Sequence, residues 1–323
     1  MKKSRDRIVF LDAGSVNYGD LSFGPLEKLG LFKAYASTRP DEIERRTRGV
    51  RFVVTNKCVF DRRLISRLKG VECIHVSATG VNNIDREAAR EFNVGITNVS
   101  GYSTESVVQW TIALMTALAG NLISYQARAR DGTWSRSSFF TLGLYPNREL
   151  AGKKLGIIGY GNIGRRVAEV ARCLGMNVLV GRIPGRKYSR AEGKSRHPFD
   201  IVVRQSDFLT LHAPLTPLTQ DLIGGRVLRK MKRGAVLINM ARGGIVNERA
   251  WAAVLHAGHL GGGAADVLTI EPPVKNHPLL KAPRMIVTPH VAWATLEARE
   301  RLVRELALNI KAFQLNRRRN RIV

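Results

Sequence analysis

Acidic residues are scarce in this chain: 26 Asp and Glu stand against 52 Lys and Arg in 323 residues, a formal net charge of +26. The deficit is not confined to a tail. The 37 Arg and 15 Lys are spread from Arg5 to Arg321, whereas a dedicated nucleic-acid binder tends to gather its charge in one stripe. Cysteine is scarcer still. Cys58, Cys73 and Cys173 form an odd set without metal-like spacing, which argues against a disulfide framework or a metal site and fits a reducing, cytoplasmic compartment. Long apolar runs are missing as well. Behind the basic flank Met1 to Arg7 only Ile8 to Leu11 is apolar, too short for a signal-peptide core. The greasiest stretch, Val107 to Ala119, contains Gln109 and two threonines and falls short of the ~20 residues of a membrane span. A soluble protein without a membrane partner is expected. Proline is sparse too, at 12 residues, and no repeat at a period of 20–50 residues is present.

What is there is a core-forming composition. With 44% hydrophobic residues and 30 Gly, the chain suits two folded domains. Short apolar runs alternate with helical patterns: Ile8 to Leu11 then Leu21 to Leu31, Phe52 to Thr55 then Arg62 to Leu68, Cys73 to Val76 then Asp85 to Glu91. This alternation predicts βαβ units and a parallel sheet. A long helix follows from Ser103 through Ala119, apolar enough to be buried either at an interface or in its own core. After the less regular stretch 131–149 a second series of buried strands begins, at Lys154 to Ile158, Asn177 to Val180, Phe208 to Leu211, Ala235 to Asn239, Gly262 to Val267 and Met285 to Thr288.

One turn in that second series has chemical content. Gly159, Tyr160, Gly161, Asn162, Ile163 and Gly164 join an apolar strand to a helical stretch, Ile163 to Leu174. In that context the three glycines provide a tight turn, backbone approach to a pyrophosphate and close helix–strand packing, with the phosphates at the helix N-terminus. The acidic residue expected ~20 positions on, which would hold a ribose 2′-hydroxyl, is absent, since 176–191 contains no Asp or Glu. Arg182, Arg186, Lys187 and Arg190 stand there instead. A guanidinium suits a 2′-phosphate, so NADP is expected over NAD, the alternative being solvated charges on an already basic protein. Further on, Arg242, Glu271 and His290 each follow a strand of the second series, and ligands of open α/β sheets collect outside the carboxyl ends of strands.

Around these residues the chain resembles the D-isomer-specific 2-hydroxyacid dehydrogenases over nearly its whole length. Within them it is most similar to the glycerate dehydrogenase (hydroxypyruvate/glyoxylate reductase) branch. The resemblance rests on Thr55 to Lys57, Ala78 to Asp85, Thr97 to Ser106, Leu155 to Gly164, Ser206 to Thr216, Ala241 to Val246, Asp266 to Pro273 and His290 to Arg299. It implies two Rossmann-like α/β domains: a flavodoxin-like substrate domain, residues 1–102 and 293–323, and a dinucleotide-binding domain, residues 103–292, with a cleft between them that closes on substrate. It implies that Arg242 binds the substrate carboxylate and keto oxygen, and that the Thr79–Gly80 backbone clasps the carboxylate. His290 would be the general acid that protonates the keto oxygen as hydride arrives, and Glu271 would orient its imidazole and stabilise the imidazolium. Ala213, Pro214, Met240, Ala241 and Asp266 would join the glycine-rich turn and Arg182 in holding the cofactor.

The expected activity is reduction of a small 2-keto acid, hydroxypyruvate or glyoxylate, by NADPH or NADH. The family also implies a homodimer, with the helix after Tyr102 and the arm through about Leu150 packing on a second subunit. Two departures stand out: Gln109-Trp110 where relatives commonly carry a His, and Met240 where Thr or Ser is usual. An alternative on the same fold is a dinucleotide-responsive corepressor-like protein, its charge serving nucleic acid, although no nucleic-acid motif is present. The excess charge could equally steer anionic substrate and cofactor, or reflect Arg-rich codon usage.

Overall fold

Strands and helices alternate because apolar residues alternate with turn signals, and each strand lies parallel to its sheet neighbours. The computed structural model describes residues 6–323; Met1 to Arg5, the first five residues of the basic flank, lie outside them. The chain divides into two compact units, one formed by the chain up to Ser103 with Trp293–Val323, the other by Thr104–Ala292.

The first unit holds a five-stranded sheet of β1 (Arg7–Phe10), β2 (Leu31–Ala34), β3 (Phe52–Thr55), β4 (Cys73–Val76) and β5 (Gly95–Thr97). Their order is β2-β1-β3-β4-β5, the flavodoxin-like doubly wound arrangement. The helix Leu296–Gln314 returns the chain terminus to this sheet. It buries Ala298, Leu302, Val303, Leu306 and Ile310 at helical spacing, and Thr295 caps it by accepting from the Ala298 amide. Arg299 is buried in the same helix and ends in a bidentate pair on Asp20 at 2.7 Å, which holds that carboxyl down to about 2.

The helical stretch expected over Leu21 to Leu31 is a difference. Only Gly24–Glu27 is helical, and Leu31 begins β2. β2 lies at the sheet edge with most of its residues exposed, so it lacks the buried apolar run that marks its neighbours. Gly30 is needed just before it, since a Cβ there would sit 2.2 Å from the Asp6 carbonyl oxygen.

The second unit holds β6 (Lys154–Ile158), β7 (Asn177–Gly181), β8 (Phe208–Leu211), β9 (Val236–Asn239), β10 (Gly262–Ala265) and β11 (Met285–Val287), in the order β11-β10-β9-β8-β6-β7. A single parallel bridge between Gly181 and His197 adds the place of a further strand beyond β7, giving the dinucleotide-binding order. The strand order reverses between β6 and β8, where the adjacent connections leave toward opposite sides and open a crevice at the carboxyl ends. The apolar helix Thr104–Ala119 packs within this unit against the helix Asn162–Cys173 and against β9 and β10, so its burial needs no second chain. No single helix among the described residues is long and apolar enough to cross a membrane.

Candidate active site at the carboxyl edge of the second sheet

The glycine-rich turn runs from β6 into the helix Asn162–Cys173, and its three glycines do separate work. Gly159 has φ +96°, and a Cβ there would lie 2.4 Å from the Ala213 amide nitrogen, so the turn can close on the segment after β8 only without a side chain. A Cβ on Gly164 would meet the Gly159 carbonyl oxygen at 2.1 Å, which fixes how near the helix comes to the strand. Gly161 faces open space, with nothing within 4 Å of a Cβ, and it caps the helix without a side-chain hydrogen bond. The first turn of the helix thus presents backbone N–H groups toward a vacant approach, the arrangement that takes a pyrophosphate. The residues present fit a dinucleotide.

After β7 the chain forms a cavity of about 500 Å³ whose wall includes Arg182, Arg186, Tyr188, Ser189, Arg190 and Lys194. Arg182 is exposed and donates to the Gly193 carbonyl at 2.8 Å, while Arg186 lies 5.2 Å from the Tyr188 ring centroid. The carboxylate in this stretch, Glu192, is spent on the capping box of the helix Arg190–Lys194, accepting from the Ser189 amide and hydroxyl at 3.2 Å.

β8 leads to Ala213 and Pro214 by way of His212, whose amide donates to the Ile158 carbonyl at 2.7 Å and so ties β8 to β6 at the crevice. Its ring is paired with the Thr210 hydroxyl at 3.0 Å, and burial pushes the imidazole down to about 3, keeping it neutral. The Thr219 hydroxyl donates to the Pro214 carbonyl at 2.6 Å and holds that turn.

β9 delivers Met240, Ala241 and Arg242. Asn239, the last residue of the strand, shapes this loop: its carbonyl oxygen accepts from the Ala241 amide at 3.1 Å and its NH2 donates to the Arg242 carbonyl at 3.0 Å. Arg242 is half-buried, donates through Nη1 to its neighbour's carbonyl at 2.7 Å, and has no carboxylate partner among the described residues. Its fork is therefore available to an anion.

β10 and β11 deliver a paired histidine and glutamate. His290 Nδ1 donates to Glu271 Oε2 at 2.7 Å, and Glu271 Oε1 accepts from the Leu268 amide at 2.8 Å. With Nδ1 engaged, Nε2 is the nitrogen left for a substrate. His290 has φ +54°, a left-handed conformation in which histidine is among the enriched types, and its loop is held further by a constraint from outside. The constraint comes from Asp266, 3% exposed at the end of β10, which accepts from the Thr288 hydroxyl at 2.6 Å and from the Val291 and Ala292 amides at 2.9 and 3.0 Å. Burial pushes the Asp266 carboxyl upward against these donors. A second brace holds the Glu271 loop: Glu248 accepts from the Thr269 amide at 2.7 Å and pairs with His277 at 2.9 Å. Thr288, Glu248 and His277 are supports that residue reading missed. Their roles exist only through contacts across the sheet edge.

Arg242, Glu271 and His290 thus come from the carboxyl ends of three adjacent strands, together with Ala213, Pro214, Met240, Ala241 and Asp266. Thr79 and Gly80 belong to the first unit, after β4. There the Thr79 hydroxyl donates to the Val99 carbonyl at 3.0 Å and Asn98 donates to the Thr79 carbonyl at 2.7 Å. The Thr79 and Gly80 amides donate to no protein acceptor among the described residues.

Comparison with known proteins agrees with this geometry. Residues 112–292 match the family model described as D-isomer specific 2-hydroxyacid dehydrogenase, NAD binding domain. The chain is 37% identical over 318 residues to a glycerate dehydrogenase of Methylorubrum extorquens, covering 97% of this chain and 98% of the relative. It is 32% identical over 310 residues to a hydroxypyruvate reductase of Blautia hydrogenotrophica, covering 95% and 96%. Among solved structures, a glyoxylate reductase from Paecilomyes thermophila superposes with a TM-score of 0.84 at 26% identity, covering 99% of this chain and 98% of that one.

Proposed function

Because the chain belongs to the D-isomer specific 2-hydroxyacid dehydrogenases and is an NAD(P)H-dependent reductase of 2-keto acids, we propose that hydroxypyruvate or glyoxylate is its substrate, NADPH its preferred reductant and His290 its proton donor. The observation that carries the chemistry is the His290–Glu271 pair, with one imidazole nitrogen engaged, the other free, and the loop held in a left-handed turn by Asp266. Bound at the glycine-rich turn, the dihydronicotinamide supplies the hydride that reaches C2 of the keto acid.

The chain's own residues do the rest. Arg242 binds the carboxylate and polarises the keto oxygen with one planar fork. His290 holds a proton on Nε2 for that oxygen, and Glu271 stabilises the imidazolium and keeps the ring in one orientation. In the oxidative direction the same nitrogen takes the proton back. The Thr79 and Gly80 amides, which have no protein acceptor among the described residues, offer further donors to the carboxylate. Ala213, Pro214, Met240, Ala241 and Asp266 line the way to the nicotinamide.

The preference for NADPH rests on the basic cavity at Arg182, whose wall has no carboxylate, while Glu192 in the same stretch is occupied as a helix cap. Steady-state kinetics of Arg182→Ala tests it: KM for NADPH should rise about tenfold, equivalent to ~1.4 kcal/mol, while KM for NADH stays put. A wild-type enzyme that favours NADH would overturn the assignment. The chain also forms a homodimer in this reading, through the arm that leaves Phe139 and Phe140 74% and 92% exposed. Three free cysteines fit a cytoplasmic setting. The corepressor-like alternative gains nothing from the relatives named above, which are dehydrogenases and reductases.

A further inference from the structure

A second cavity, of about 540 Å³, lies at the opposite edge of the second sheet, where β9, β10 and β11 begin. Its wall includes Arg148, Arg233 and Arg284 with His256, and between them the apolar Leu255 and Pro283. No Asp or Glu contributes to the wall, and none of the three arginines has a carboxylate partner among the described residues. Elsewhere the chain spends its few carboxylates on arginines freely, as at Arg51, Arg166 and Arg299. Three guanidinium groups around one cavity repel one another, and an unpaired cluster of that kind costs stability unless an anion compensates it.

Two features of Arg284 separate this cluster from the general basic surface. Its Nε is buried and has no hydrogen-bond partner, and unlike Arg46, Arg51 and Arg319, which share that feature, it has no carboxylate beside it among the described residues. Its backbone is left-handed, at φ +54°. Seven non-glycine residues among those described share a positive φ, and six are Asn, Asp or His, the types enriched there. The seventh is Arg284. Backbone strain of this type is kept where a side chain is held for a purpose. Burial and the positive charge of Arg148 both push Arg284 below the ordinary arginine range. Arg148 is itself fixed, donating to the Gly234 carbonyl at 2.7 Å.

We propose that Arg148, Arg233 and Arg284 form an anion site, separate from the cofactor crevice, that binds a small phosphate-bearing molecule. Planar guanidinium forks match phosphate oxygens in pairs, and several forks around one group favour a phosphate dianion over a single carboxylate. Leu255 and Pro283 give an organic remainder an apolar wall. The site sits at the amino ends of the strands whose carboxyl ends carry Arg242, Asp266 and His290. A strand of four residues spans only ~13 Å, so its ligand would brace the same strands that position the chemistry.

Isothermal titration of inorganic pyrophosphate into the full chain, with NADPH or NADH saturating the crevice, tests the site. We expect one saturable event per chain, weakened at least tenfold in both Arg284→Asn and Arg233→Ala. Asparagine suits the left-handed backbone at 284, and an unchanged affinity for the nicotinamide cofactor reports an intact fold. Succinate, a dicarboxylate, should bind at least tenfold more weakly than pyrophosphate. The proposal falls if pyrophosphate shows no saturable binding, if both variants bind it as the wild type does, if only Arg182→Ala abolishes binding, or if succinate binds as tightly. The readout is binding, so it stands or falls independently of which keto acid is reduced.

Discussion

The two units share an architecture and treat the carboxyl edges of their sheets in opposite ways. In the first, the chain supplies its own anion. Asp12, 8% exposed just past β1, accepts from the Asn56 and Lys57 amides at 2.8 and 2.6 Å and from Cys58 at 3.3 Å, so the turn after β3 is saturated by an internal carboxylate. In the second, the turn after β6, the counterpart by sheet order of the turn after β1 that carries Asp12, is capped by Gly161, with no side chain to occupy the helix N-terminus. A doubly wound sheet is thus a neutral frame, and what it binds depends on whether its edge amides are filled from within. In the first unit the Thr79 and Gly80 amides, after β4, donate to no protein acceptor among the described residues.

The comparison breaks most visibly at the acid–base pair. His290→Ala should lower kcat by about 10²–10⁴, with cofactor affinity retained, as stopped-flow binding and steady-state turnover would show. A variant that kept wild-type kcat would remove the second unit's claim to the chemistry.

The next effect involves both units. Each buries one neutral imidazole, His75 in β4 beside the Thr97 hydroxyl and His212 at the end of β8, and burial pushes both down to about 3 from 6.5. Above pH 6.5 the folded and unfolded chains hold these rings alike. Between 6.5 and about 3 the unfolded chain takes up protons that the folded one refuses, so stability falls as pH drops through that window. At pH 5 each ring should cost about 2 kcal/mol, read from urea midpoints at pH 5 and 7.5. His75→Gln should recover close to half of the total loss. A stability that is flat from pH 7.5 to 5 would contradict the burial of both rings.

Smaller again is the loss expected from emptying the first unit's edge. Asp12→Ala strands buried amides and should cost about 2–3 kcal/mol in chemical denaturation, with NADPH affinity unchanged. If cofactor binding fell instead, the division of labour would be wrong. The mildest change is expected at the arm: Phe139→Ser with Phe140→Ser should shift the protein toward monomer in gel filtration with little loss of monomer stability, because both rings are exposed.

Legibility followed the distance along the chain over which a feature is encoded. The glycine-rich turn and the places of Arg242, Glu271 and His290 were readable because each follows a short apolar strand of the second series, and residue type with local context marks them. β2 was not, since an edge strand with exposed faces has no apolar run to announce it. Asp266 was read as a cofactor residue, and its clamp on Thr288, Val291 and Ala292 is invisible until β10 and β11 lie side by side. The arginine cavity shows the limit most plainly. Arg148, Arg233 and Arg284 come from three distant segments, and in one dimension they dissolve into a charge of +26.

Gly161 has a consequence for how the molecule tolerates change. A methyl group there would meet nothing within 4 Å, and the residue's φ of −87° is open to any amino acid, so alanine should fold and resist heat as the wild type does. The methyl would instead intrude where a pyrophosphate must approach. A screen for folding would pass this variant and a screen for turnover would reject it. At this position the fold keeps no watch, and only the reaction preserves the glycine.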